Sequence, residues 1–220
     1  MNFLYTLRIL GILLMFFSTA QLFPASVAYY FQEYALIKVF FNTLLATFLC
    51  GFLLYILSAT RKEDLRTKDG FIITVLFWTV LSIFGSFPLI FAEEINISYI
   101  DALFESISGL TTTGATVLTG LDELPRSILF YRQLLQWLGG MGIIVLAVAV
   151  LPLLGIGGMQ LYKAETPGPL KDSKLTPRIT ETAKALWYVY LTMTILCASA
   201  YKFFGMTTYD AICHAFSTVS

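Results

Sequence analysis

Five long apolar runs divide the chain, at approximately Leu4–Phe31, Leu36–Ala59, Phe71–Ala92, Ile128–Leu154 and Ala183–Phe204. Each reaches the roughly 20 residues that an α-helix, rising about 1.5 Å per residue, needs to cross a ~30 Å hydrocarbon core. Backbone in lipid has to satisfy its own hydrogen bonds, so runs of this length predict helices and an all-α integral membrane fold. The first run has a competing reading as a signal peptide, with Arg8 as its early charge and small residues near Ala25–Ala28. Its apolar part continues through Gln21 and Pro24 to Tyr29–Phe31, too far for a cleaved leader, and favours a retained helix open to a kink.

The polar segments set the orientation. "RKEDLRTKDG" (Arg61–Gly70) carries Arg61, Lys62, Arg66 and Lys68, and the segment Tyr162–Lys184 carries Lys163, Lys171, Lys174, Arg178 and Lys184. The alternate connections are poorer in bases, with Glu33 and Lys38, then Glu93 and Glu94, then Asp122, Glu123 and Arg126. The positive-inside rule places both basic loops and the N-terminus in the cytoplasm. The connection between the third and fourth helices then lies on the outer side.

That outer connection is not an ordinary loop. Tyr99–Leu110 holds apolar Ile100, Ala102, Leu103, Phe104, Ile107 and Leu110, too apolar for a solvated loop and too short to span. A run of about 10–14 such residues between spanning helices reads as a re-entrant helix. Asp101 suits its N-terminus and Gly109 its end. "TTTGAT" follows, and Thr111–Ala115 is expected to be extended, with Gly114 supplying angles that a β-carbon obstructs. The negative end of a helix dipole and a fan of carbonyl oxygens both favour a cation, as in potassium filters. On composition alone, a Thr-rich turn capping two helices remains the alternative.

A second copy shifts the balance. "YDAICHAFSTVS" (Tyr209–Ser220) follows the fifth run as "IDALFESISGLT" follows the third, at an offset of 109 (210 − 101). The offset pairs Asp101 with Asp210, Ala102 with Ala211, Ser108 with Ser217 and Thr111 with Ser220, and in the preceding helices Trp78 with Trp187 and Val80 with Val189. The repeating unit is helix, re-entrant helix, polar strand, helix. It divides the chain into two extra N-terminal helices (1–60), a first pore unit (61–158, with pore helix and filter at 99–116) and a cytoplasmic loop leading into an incomplete second unit (159–220).

Composition agrees with the membrane assignment: 57% hydrophobic and 13% charged residues, against roughly 25% charged in soluble domains. A formal net charge of zero offers nothing to a polyanion, so nucleic acid is not an expected partner. Cys50, Cys197 and Cys213 lack metal spacing and are an odd number, which speaks against a disulfide framework. One histidine and no HExxH or GxSxG pattern speak against an intramembrane enzyme.

The stretches "SISGLTTTGATVLTGLD", "YRQLLQWLGGMGIIVLAVAVLP" (Tyr131–Pro152) and "ETPGPLKDSKLTPRITETAKALWYVY" (Glu165–Tyr190) resemble the filter, following helix and cytoplasmic loop of Trk-type potassium uptake membrane subunits, in the Trk/Ktr/HKT superfamily. The resemblance implies four units around one pore, with potassium as the only ligand. It implies that Thr111, Thr112, Thr113 and Gly114 line the potassium sites through main-chain or hydroxyl oxygen, and that Ser220 opens the second filter strand. The family chain is longer, so this chain is expected to be the N-terminal part of the ion-conducting subunit in the cell inner membrane. The implied partners are a second copy, giving a homodimer, and a cytoplasmic nucleotide-binding (NAD or ATP) regulatory subunit, with membrane lipid around both. A non-conducting structural or regulatory subunit, and a sodium or non-selective transporter of the same superfamily, are the alternatives.

Other features read more plainly. Glu105 is expected to pair with a base such as Arg132, since ionisable groups in the membrane face protein or water. Its counterpart in the second unit is His214, which with Cys213 lacks the further ligands a metal needs. Gly139, Gly140 and Gly142 in "WLGGMG" suit close helix packing better than a nucleotide loop, because no strand precedes them. "LLGIGG" (Leu153–Gly158) reads as a helix ending at the cytoplasmic face.

Overall fold

The computed structural model describes residues 3–58, 67–150 and 175–220. Its helices are α1 (Phe3–Ala20), α2 (Leu22–Tyr30), α3 (Tyr34–Leu57), α4 (Thr67–Phe91), α5 (Tyr99–Leu110), α6 (Arg126–Val150), α7 (Leu175–Phe203) and α8 (Thr208–Val219), with one 3-10 turn at Leu121–Glu123. Among the described residues there is no strand. Most of the first basic loop, the segment 151–174 with its glycine run, and the unit boundary at 158–159 lie outside the described residues.

The expected first helix is broken at Gln21, where α1 gives way to α2. Gln21 stays right-handed, at φ −68° and ψ −13°, so the axis bends without reversing. Pro24 is the third residue of α2, in the first turn, where a missing N–H is tolerated. Buried Gln21 accepts a hydrogen bond from Thr43 Oγ1 at 2.5 Å, which fastens the elbow to α3. Three stretches among the described residues are long and apolar enough to cross a membrane: Thr6–Tyr30, Tyr34–Leu57 and Thr74–Phe91. At 25 and 29 residues, α6 and α7 also have the length to cross. α7 reaches back to Leu175, beyond the expected start near Ala183, because "TPRITETAK" is polar yet compatible with a helix.

Glycines set the tightest contacts. A β-carbon on Gly11 of α1 would lie 2.5 Å from the Gly51 carbonyl oxygen of α3, and one on Gly51 would lie 2.7 Å from that of Gly11. Where both solvent and neighbour are apolar, such backbone proximity is what holds helices together. The main core gathers Leu14, Phe17, Phe40, Leu89, Leu110 and Leu135 from five helices. Tyr131 on α6 is buried within it and donates to the Gly85 carbonyl of α4 at 2.7 Å, its ring edge-on to Phe40.

α6 occupies the centre, touching α2, α4, α5, α7 and α8. Its N-terminus is held from far away in sequence. Glu33, between α2 and α3, accepts from the backbone N–H of Arg126 at 2.7 Å, from that of Ser127 at 3.1 Å, and from the Ser127 hydroxyl. A carboxylate there satisfies orphan donors and complements the positive end of the helix dipole.

Candidate functional site

The repeat is visible in the backbone. α5 and α8 each contain 12 residues, and their first and last residues are related by the same offset, 109 (208 − 99 and 219 − 110). They also begin with the same cap. Ser98 Oγ accepts from the Asp101 N–H at 3.2 Å and donates to Asp101 Oδ2 at 2.8 Å. Thr207 Oγ1 does the same with Asp210, at 3.1 and 2.7 Å. Sequence reasoning placed the aspartates at the helix starts but missed the capping hydroxyls, although Ser or Thr three residues before an acid is a local signature of a helix start.

Both short helices point their C-terminal ends at one place on α6. A β-carbon on Gly139 would fall 2.1 Å from the Leu110 carbonyl oxygen, and one on Gly140 would fall 3.0 Å from Ser220 Cα. Adjacent glycines thus receive the ends of both helices, and bring Ser220 to the same turn of α6 as the residue before Thr111. The packing role expected of Gly139 and Gly140 is observed, whereas Gly142 meets only Trp78 and Phe77 at ordinary contact distance.

The strand after α5 departs from simple extension. Thr111 (φ −83°, ψ 4°) and Thr112 close a turn in which Thr112 N–H donates to Gly109 O at 2.9 Å and Thr113 N–H to Ser108 O at 2.9 Å. This is a Schellman stop, and it needs a left-handed residue at Thr112, whose φ is +55°. A β-branched residue there is strained, by about 1–2 kcal/mol. Gly114 is also left-handed, at φ +71°, as anticipated, while Thr111, Thr113 and Ala115 are not. The sign of φ therefore alternates from Thr111 to Ala115.

The carbonyls of this strand are unusual. Among the described residues, no hydrogen bond reaches the carbonyl oxygens of Thr111, Thr112, Thr113 or Gly114. The next one, on Ala115, accepts from Ser108 Oγ at 2.6 Å. Thr111, Thr113 and Gly114 are exposed along this face. The Thr111 hydroxyl is occupied, donating to Ile107 O at 2.8 Å and lying 2.8 Å from Thr113 Oγ1. Four consecutive main-chain oxygens are thus free to meet a ligand, and the threonine side chains are partly engaged with one another.

Behind the strand, Glu105 pairs with Arg132 as expected, Nε to Oε2 at 2.8 Å. It also accepts from Thr116 Oγ1 at 2.6 Å and Val117 N–H at 2.7 Å, contacts that no spacing in the sequence announced. At the start of α8, Tyr209 donates to the Arg126 carbonyl at 2.6 Å.

Residues 36–220 match the family described as TrkH, cation transport protein. The chain is 58% identical over its whole length to the Trk system potassium uptake protein TrkH of Vibrio parahaemolyticus, of which it covers 45%. The chain belongs to the TrkH family of cation transport proteins. It is also 53% identical over its whole length to Trk system potassium uptake protein TrkH of Escherichia coli, and 49% identical over 96% of its length to TrkG of the same organism. Its fold matches the crystal structure of the potassium transporter TrkH from Vibrio parahaemolyticus with a TM-score of 0.86, over 99% of this chain and 43% of that one. The chain spans less than half the length of these TrkH-family relatives. Membership of a family of transport proteins accounts for the long apolar helices.

Proposed function

We propose that this chain is the N-terminal part of the ion-conducting subunit of a potassium uptake system, with Thr111, Thr112, Thr113 and Gly114 as one wall of its selectivity filter. The observation that carries this reading is the run of four carbonyl oxygens with no internal partner, in backbone whose φ alternates in sign. In an ordinary extended strand, successive carbonyls point to opposite sides. Alternating left- and right-handed residues turn them to the same side, where they can replace the hydration shell of a cation. Unpaired backbone at membrane depth is tolerated only where it lines a pore or is covered by protein.

Potassium is the transported ion by analogy with the named relatives, and is substrate rather than a resident cofactor. α5 with the strand 111–116 belongs to a first unit spanning 61–158, preceded by the extra helices of 1–60. α8 begins a second unit within 159–220, and Ser220 opens its filter strand. The assembled protein is a homodimer in the cell inner membrane, contacted from the cytoplasm by a nucleotide-binding regulatory subunit that meets the basic loops.

The test uses the full-length protein in cells lacking other potassium uptake. Gly114→Ser puts a side chain at φ +71° and tilts one carbonyl away from the ion. Rubidium-over-sodium uptake should fall about tenfold, the equivalent of 1.4 kcal/mol, with membrane insertion intact. Thr119→Ser, beyond the strand, should change little. Unchanged selectivity in Gly114→Ser would mean that this strand does not face the ion.

A further inference from the structure

Glu105 is 3% exposed, yet both of its carboxylate oxygens are in use. Oε2 takes Arg132 Nε from α6, and Oε1 takes the Thr116 hydroxyl and the Val117 N–H from the strand. One side chain therefore joins α5, α6 and the chain just beyond Gly114. An ion pair in an apolar setting is costly unless further hydrogen bonds meet its remaining lone pairs, and here Oε1 takes two.

The position of these contacts matters more than their number. Ser108 holds the strand on both sides of Gly114: its carbonyl takes Thr113 N–H at 2.9 Å and its hydroxyl donates to Ala115 O at 2.6 Å. The far end is pinned by Glu105 at Thr116 and Val117. The four carbonyls without partners, from Thr111 to Gly114, lie on the helix side of Ala115, ahead of the Glu105 anchor. Thr112 is held left-handed against its own preference, so the stretch has a cheaper conformation to relax into when an anchor is lost.

We propose that Glu105 is a positioning residue for ion selection: it acts through Thr116 and Val117 to fix the spacing of the strand's carbonyls, while Arg132 holds its other carboxylate oxygen. The proposal rests on the reading of Thr111–Gly114 as a filter wall. Of the two units this chain contains, only the first carries a glutamate at this position. The counterpart of Glu105 in α8 is His214, an exposed side chain whose ring lies 6.0 Å from that of Tyr201.

The experiment measures rubidium and sodium uptake by full-length Glu105→Gln, Thr116→Val, Thr116→Ser, the Glu105→Gln/Thr116→Val double variant and Gly114→Ser, each normalised to protein in the membrane. Glu105→Gln and Thr116→Val should each lower the rubidium-over-sodium ratio by roughly three- to tenfold, the size of one lost hydrogen bond. Thr116→Ser, which keeps the hydroxyl, should recover most of the ratio. Glu105→Gln keeps an amide oxygen for Thr116 but loses the charge that Arg132 meets, and Thr116→Val removes the hydroxyl; both loosen one anchor, so the double variant should lose less than the product of the two single losses. The Thr116 pair leaves the ion pair with Arg132 untouched and decides the matter even where Glu105→Gln accumulates poorly. Wild-type ratios in Thr116→Val beside a lowered ratio in Gly114→Ser would overturn the clamp and leave the filter standing. Losses that multiply in the double variant would overturn it too. Unchanged ratios in every variant, Gly114→Ser included, would remove the filter reading and the clamp with it.

Discussion

Gly139 lies so close to Leu110 that a β-carbon on the glycine would sit 2.1 Å from the leucine carbonyl oxygen and 2.7 Å from its carbon. The obstacle is backbone at the end of α5, so relief requires moving the helix that aims the strand. At Gly140 the nearest obstacle is the Tyr190 hydroxyl at 2.7 Å, the far end of a side chain, followed by Ser220 Cα at 3.0 Å. Overpacking of this kind costs typically about 1–3 kcal/mol. Gly139→Ala should therefore lower the Tm of the purified full-length protein by more than Gly140→Ala does. The reverse order would contradict the packing described for α6.

Glu33 reaches across 93 residues of sequence to the start of α6. Glu33→Ala leaves the Arg126 and Ser127 N–H groups and the Ser127 hydroxyl without that acceptor, and should cost about 1–2 kcal/mol in a thermal melt. Glu33→Gln keeps an acceptor and loses only the charge, so its loss should be clearly smaller. Equal losses would mean that charge, not hydrogen bonding, fixes this end of α6.

Thr112 and Gly114 share the sign of φ but not the freedom to adopt it. Thr112→Gly removes a strain of about 1–2 kcal/mol and adds unfolded-state entropy worth about 0.5–1 kcal/mol. It should leave Tm unchanged or slightly raised. Gly114→Val introduces a β-branched residue at φ +71° and should cost about 1–2 kcal/mol of stability, read as a lowered Tm. A marked loss in Thr112→Gly would show that the threonine side chain, through Thr111 and Thr113, holds the turn.

The parts legible in the sequence were those written in neighbouring residues. Apolar run lengths gave the long helices, and twelve residues between Ser98 and Thr111 gave the short one with its offset copy. Gln21 and Pro24 marked the bend within the first run, because proline removes a donor wherever it sits. α7 ran two turns earlier than its hydropathy, since apolarity reports lipid contact and not helix formation. The left-handed Thr112 had no local signal: threonine disfavours that region, and only the tertiary setting imposes it. Contacts between distant residues were equally silent. Nothing at Glu33 points to Ser127, and nothing at Glu105 selects Thr116 over other donors.

The central claim is that the main-chain oxygens from Thr111 to Gly114 meet the ion. Anomalous diffraction from crystals of the full-length protein soaked in thallium, a heavy potassium analogue, locates that ion directly. The account predicts density on the pore axis within bonding distance of these four carbonyls, weakened at the neighbouring position in Gly114→Ser. Thallium density confined to other parts of the molecule, with these carbonyls turned away from it, would contradict it.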